Sequence, residues 1–261
     1  MNPPPAGGRL RILVPVTGAY FGNLRLRRTT GTLDTEGVDR VLSHESAQAI
    51  ALAKQLHPHG AELVAVHVDK GAGEEVLREA LAHGLDQGIL IEGTADRESD
   101  ASARAATIAD VYRQNGPFDA VIGPARSAFS GFTGALACVA GDLELPCVVG
   151  VSRIAADGAA FQIAYQSLFG DYELKIPRPC VVLAGDIDAS HPSAWGIHDA
   201  WAVRGLLRVQ ADRYASRASL TKRQRIETVS VEARTAEPVD GPTLLRRLRS
   251  RNLVAERRRQ A

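Results

Sequence analysis

Along the first 184 positions, apolar residues gather into short, nearly continuous runs separated by stretches with helical periodicity. LRILVPV at 10–16 is the first run, followed by ELVAVHV at 62–68, GILI at 88–91, Ala120-Val121-Ile122 and CVVLA at 180–184. A strand with both faces buried reads in this way, whereas a strand with one solvated face alternates. Between the runs, the spacing predicts a helix over Glu45 to Leu56, with Ser43 as N-cap and the Pro58 region as its stop. A second helix spans Glu74 to His83, where Val76, Leu77, Ala80 and Leu81 share a face and Gly84 ends it. Ala101 to Gln114 gives a third. Thr133-Gly134 opens a fourth, with Leu136, Val139 and Leu143 on one side. Strands and helices alternating in this order predict a mostly parallel, doubly wound α/β sheet.

Three stretches depart from that rhythm. Residues 17–44 are long for a plain strand-to-helix loop, and with an edge strand at Leu24-Arg25-Leu26 they become a candidate for function. AFQIAYQ at 160–166 alternates, Phe169-Gly170-Asp171 turns the chain, and YELKI returns, which predicts an antiparallel hairpin attached to the sheet. Beyond Asp186 the sequence is irregular, and from Arg204 onward it is rich in arginine. The division expected is therefore an α/β domain over 1–184, with 1–9 as a flexible leader, and an extended arm over 185–261 that packs on a partner rather than on its own core.

Candidate chemistry concentrates between Asp119 and Gly150. A strand ends at Gly123, a loop of small residues follows, and Ser130, Gly131, Thr133 and Gly134 leave room at a helix start. Unpaired N–H groups and the positive end of the macrodipole make such a place suitable for an anion. A glycine-rich crossover loop with a Ser or Thr cap is the other reading. Elsewhere the chain offers little acid, base or nucleophile chemistry. Its seven histidines are scattered without a metal spacing, and His67, after a strand, is the one that could face a site. Gly71-Ala72-Gly73 begins like a dinucleotide fingerprint, but Val76 stands where the third glycine belongs. Cys138, Cys147 and Cys180 are an odd number without a CxxC, so neither a disulfide framework nor a zinc site is expected, and all three are expected to be buried.

Composition narrows the class. A net charge of +1 over 261 residues provides no general field for nucleic acid or anionic lipid, and 45% hydrophobic content suits a globular core. The opening MNPPPAGGRLR lacks the apolar region of a secretory signal, and no run has the length of a membrane span, so the cytoplasm is the expected compartment.

Taken in order, several blocks resemble the beta subunit of electron transfer flavoproteins. LRILVPV and LRLRR are similar to that family's opening strand and its arginine-bearing strand, and ELVAVHVDKGAGEEVLREALAHGLDQGILIEG to its second strand, helix and third strand. DAVIGPARSAFSGFTG stands in the place of the nucleotide-phosphate loop, GDYELKIPRPCVVLAG resembles the signature hairpin and strand, and HPSAWGIHDAW the recognition loop. The resemblance implies an adenine nucleotide alpha hydrolase-like fold, AMP or a second FAD in this chain, and an FAD shared with a larger alpha subunit. It implies contacts from Pro15, Val68, Gly123, Ser130, Gly131, Phe132, Thr133 and Gly134 to the nucleotide, and places Tyr20 or Phe21 against the flavin. Ala194 and Trp195 fall where the family docks its donor dehydrogenase, from which electrons pass toward a quinone oxidoreductase. Departures are visible: Val41-Leu42-Ser43-His44 replaces Asn-Pro-Phe-Asp, Ala135 replaces the glutamine after Thr-Gly, and the loop from Gly123 to Gly134 has no acidic residue. An electron-transfer subunit without a catalytic cluster of its own is the reading favoured; the alternative is an adenine-nucleotide-binding regulatory or stress-type protein with no redox role.

Overall fold

The computed structural model describes residues 9–22, 24–27, 32–69, 73–92, 100–127, 134–167, 169–187 and 205–211, together with Thr243 and Arg246. Five parallel strands form its centre: β1 (Arg11–Pro15), β6 (Glu62–Asp69), β7 (Gln87–Glu92), β8 (Ala120–Pro124) and β12 (Cys180–Ala184). Helices α1 (His44–Lys54) and α2 (Gly73–Ala82) cover one face; α3 (Ala101–Asn115) and α4 (Gly134–Leu143) cover the other. Successive side chains of a strand point to opposite faces, and the two cores divide accordingly. Ile12, Val14, Leu63, Ala65, Ile122 and Val182 pack with α1 and α2, while Leu13, Val64, Val66, Val121 and Val181 pack with α3 and α4. Every one of these is buried, which is why the strands read as unbroken apolar runs. Burying each Leu, Ile or Val contributes about 1.5–3 kcal/mol.

With β9 (Cys147–Asp157), β10 (Ala160–Ser167), β11 (Gly170–Pro177) and β13 (Leu207–Ala211), the strand order is β11-β10-β9-β12-β8-β1-β6-β7-β13. The chain builds outward from β1 through β6 to β7, then α3 carries it back to β8 on the other side of β1. Parallel neighbours β1 and β8 therefore flank the point where the winding reverses, the place at whose strand carboxyl ends open α/β sheets bind ligands.

Local boundaries differ from expectation where a neighbour intervenes. Ser43 caps α1 as expected, its Oγ accepting from the Ser46 N–H at 3.2 Å. The helix ends at Lys54 rather than Leu56, and a 3-10 turn follows at His57–His59. Pro58 has no N–H to continue the α-helical ladder, so the chain leaves the helix through this turn. The edge strand expected over 24–26 is β3 (Arg25–Arg27), paired with β4 (Thr32–Asp34) in a ribbon of its own. A second ribbon joins β2 (Gly18–Phe21) to β5 (Asp39–Leu42).

The hairpin is present as β10 (Ala160–Ser167) and β11 (Gly170–Pro177), and β9 (Cys147–Asp157) precedes it. Through Cys147–Val149, β9 runs parallel to β12, then through Arg153–Asp157 it pairs antiparallel with β10. Gly150, with φ of 80°, makes the bend, and an ideal Cβ on Gly185 would stand 2.9 Å from the Gly150 carbonyl, so the two glycines pack backbone to backbone. Burial of all three cysteines is corrected: Cys180 is buried, Cys138 half-buried and Cys147, first residue of β9, exposed. An apolar run does not say which of its faces a helix covers. β13 (Leu207–Ala211), from the stretch assigned to the arm, pairs parallel with β7 as the outermost strand. By its internal contacts the chain divides into units Met1–Arg225 and Ile226–Ala261. No helix among the described residues is long and apolar enough to cross a membrane.

Candidate functional site

The carboxyl ends of β1, β6 and β8 carry the main-chain positions singled out from sequence. Pro15 ends β1 in register with Val66, which places Val68 two residues further along the adjacent strand. Pro15 is buried, and Val68 is half-buried against the α3–α4 core. Gly123 lies on the other side of β1, where a Cβ would overlap Leu136 of α4 and stand 3.7 Å from the Pro15 carbonyl oxygen. That glycine lets the first turn of α4 close on the sheet beside Pro15. Gly134 is the first residue of α4, whose first turn has no acidic side chain, so its dipole is left available to an anion. Ser130, Gly131, Phe132 and Thr133 lie outside the described residues, as do Ala194 and Trp195.

Two polar clusters border this end of the sheet. In the first, Thr17, Ser43 and Ser46 share one hydroxyl network. Ser46 Oγ accepts from the Thr17 N–H at 2.9 Å, and the Thr17 hydroxyl lies 3.1 Å from Ser43 Oγ and 3.2 Å from Ser46 Oγ. Ser43 is also the N-cap of α1. Its hydroxyl is already engaged in the cap and the network.

The second cluster joins β5 to β6. Asp69, the last residue of β6, receives Arg40 in an ion pair, and both side chains are largely buried. His67 Nδ1–H donates to the Val16 carbonyl at 2.8 Å, so its proton-free Nε2 faces inward, 3.7 Å from Asp69 Oδ2. Burial pulls the His67 pKa down to about 4, and Arg40 acts in the same direction. A carboxylate this close favours the imidazolium, but Arg40 already neutralises that oxygen. Gly73 opens α2 against the cluster: a Cβ there would lie 2.9 Å from His67 Cδ2 and 3.0 Å from Asp69 Cβ. The second glycine of what resembled the start of a dinucleotide fingerprint is a packing glycine. The Arg40 guanidinium lies 5.4 Å from the centre of the Tyr20 ring, across the β2–β5 ribbon. Tyr20 is half-buried, while Phe21 is 73% exposed. Sequence reading missed Thr17, Ser46, Arg40 and Asp69; for Thr17 and Arg40 the length of the 17–44 segment was the available signal.

Among the described residues no group of three or more His, Cys, Asp or Glu could hold a metal ion. Residues 30–200 match the model of the electron transfer flavoprotein domain, well over half of the chain. The chain belongs to the electron transfer flavoprotein family. Its relatives place it on the beta-subunit side. It is 30% identical over 173 residues to the electron transfer flavoprotein subunit beta of Bacillus subtilis, covering 64% of this chain and 66% of that protein. It is 29% identical over 200 residues to the caffeyl-CoA reductase-Etf complex subunit CarD of Acetobacterium woodii, covering 74% and 75%. Protein FixA of Azorhizobium caulinodans is 25% identical over 167 residues, covering 61% and 59%.

By its name, the Bacillus subtilis relative is a subunit of an electron transfer protein. The described geometry fits an adenine nucleotide at the switch point: glycine backbone at Gly123, main-chain groups at Pro15 and Val68, and a helix start without carboxylates. It also fits a flat aromatic cofactor at the ribbon, where two consecutive aromatic residues alternate between a seated and an exposed position.

Proposed function

We propose that the chain is the beta subunit of a heterodimeric electron transfer flavoprotein. It holds AMP or a second FAD at the switch point of an adenine nucleotide alpha hydrolase-like fold, shares an FAD with a larger alpha subunit, and carries electrons from a flavin-linked dehydrogenase toward a quinone oxidoreductase. The carrying observation is that the family match over residues 30–200 spans α1, β6, β8, α4 and β12, the elements that surround β1 at the switch point. Assembly with a second subunit is supported by the name of the Acetobacterium woodii relative, a subunit of a complex.

The FAD supplies the redox chemistry. This chain's own residues bind, orient and exclude water. Backbone N–H groups of the 130–134 segment meet the nucleotide phosphate, Pro15 and Val68 offer main-chain contacts, and Gly123 keeps α4 close enough for its dipole to act. The aromatic edge of β2 lies against the flavin, and Ala194 and Trp195 meet the donor dehydrogenase, Trp195 being the residue large enough to anchor such a contact.

The test is co-purification of the full chain with a larger subunit, followed by a visible absorption spectrum. A flavin spectrum supports the reading, and a colourless chain with no larger partner overturns it. Gly131→Glu adds bulk and negative charge at the anion site, so heat-released AMP or FAD per chain is expected to fall to about a tenth or less, a loss of about 1.4 kcal/mol or more. Full occupancy in that variant would place the nucleotide elsewhere.

A further inference from the structure

The β2–β5 ribbon has only two strands, and an isolated pair of strands is marginal in water. Among the described residues, hydrogen bonds and an ion pair hold it in place. The Leu42 N–H donates to Glu79 Oε2 of α2 at 2.5 Å, the Ser43 N–H donates to the Thr17 carbonyl at 2.9 Å, and Arg40 reaches Asp69 at the end of β6. The first two act at the end of the ribbon nearest α1. Arg40 acts two residues further out, opposite Tyr20. Gly18 makes room for it: a Cβ there would lie 2.7 Å from Val76 Cγ2 and 3.3 Å from Arg40 Nη2. Buried ion pairs contribute little net stability, because desolvating both charges offsets most of their attraction. A pair with side chains 14% and 8% exposed, one of them laid over an aromatic ring, is better explained by what it holds in place.

We propose that Arg40 is a positioning residue: gripped by Asp69, it lies over the Tyr20 ring and holds β2 in register, so that Tyr20 stays seated and Phe21 faces outward. Side chains on a strand alternate, so seating one aromatic dictates the direction of the next. The inference deepens the function proposed above and rests on it in one respect: the outward face of Phe21 is the one that meets the flavin, and Tyr20 is its anchor. Sequence left these two residues indistinguishable. The asymmetry between a ring under a guanidinium and a ring 73% exposed separates them.

The experiment uses the full chain and Arg40→Met with Asp69→Leu, which removes both charges together and leaves neither unpaired. Amide hydrogen exchange in Gly18–Phe21 is expected to speed up about tenfold or more, while exchange in β1 stays at the wild-type rate. Unchanged protection of β2 in the folded double variant overturns the proposal. Should that variant fail to fold, Tyr20→Leu leaves the ion pair in place and removes only the ring; it must loosen β2 in the same way, and unchanged exchange there also overturns the proposal. The flavin is read separately in the flavin-loaded heterodimer. Phe21→Ala is expected to change the visible spectrum or raise flavin fluorescence about twofold, since a stacked aromatic quenches and shields the ring. Faster β2 exchange in the double variant together with an unaltered flavin in Phe21→Ala would uphold the positioning role and defeat the flavin contact.

Discussion

Arg178→Met is expected to lower the unfolding free energy by about 3–5 kcal/mol, the cost of leaving a buried carboxylate without its charged partner. Arg178 precedes β12 and donates from Nη1 to Asp119 Oδ1 at 2.9 Å and from Nη2 to the Gly158 carbonyl at 2.5 Å, with its guanidinium 5.8 Å from the centre of the Phe161 ring. Asp119 precedes β8, and its second oxygen accepts from the Arg11 N–H at 2.9 Å. One carboxylate thus joins the starts of β1, β8 and β12, with side-chain exposure of 10% for Arg178 and 8% for Asp119. Methionine matches the aliphatic stem but leaves Asp119 with one backbone donor in a desolvated place. Urea unfolding followed by circular dichroism measures the loss. Adding Asp119→Asn removes the stranded charge, keeps an acceptor for Arg11, and is expected to recover about 1 kcal/mol or more. The pair lies at the amino ends of the strands, opposite the candidate site, so nucleotide occupancy of the folded variant is expected to match wild type. A loss below about 1 kcal/mol would mean that the pair behaves as a solvated surface bridge.

Acid is expected to destabilise the protein through His67. Its pKa falls from the ordinary 6.5 to about 4 in the folded chain, because burial disfavours the charged ring and Arg40 opposes a second positive charge nearby. Between those two values the unfolded chain binds a proton that the folded chain does not, so stability rises with pH across that window and falls as pH drops through it. Below about pH 4 both states are protonated and this contribution levels off. A depression of this size corresponds to about 3 kcal/mol at most between neutral pH and pH 4. The check is unfolding free energy against pH for wild type and His67→Asn, whose amide can still donate to the Val16 carbonyl but does not titrate. The variant should lose most of the slope between pH 6.5 and pH 4. Identical slopes would show that other groups govern acid sensitivity and that His67 is not held neutral.

Much of the architecture was determined by the sequence itself, because the signals are local. An unbroken apolar run such as LRILVPV requires cover on both faces, and the spacing of Val76, Leu77, Ala80 and Leu81 suits one helix face; both stand where the periodicity puts them. The order of the blocks also carried the family resemblance, which rests on many short segments in sequence rather than on one motif, and the family match covers residues 30–200. Tertiary structure alone decided what depends on strand order. Arg40 and Asp69 are 29 positions apart, and nothing in either neighbourhood marks them as partners until β5 and β6 are placed. His67 meets the Val16 carbonyl across 51 positions for the same reason, and its neutrality follows from burial that a lone histidine after a strand does not announce. Gly150 could be read as a strand end, yet it is a bulge within β9 that turns a parallel strand into the start of an antiparallel hairpin. LRVQA has too little apolar content to be recognised as β13, because an outer strand needs only backbone pairing with β7 to belong to the sheet. Periodicity reports which residues must be covered; which distant residue covers them is a property of the assembled sheet.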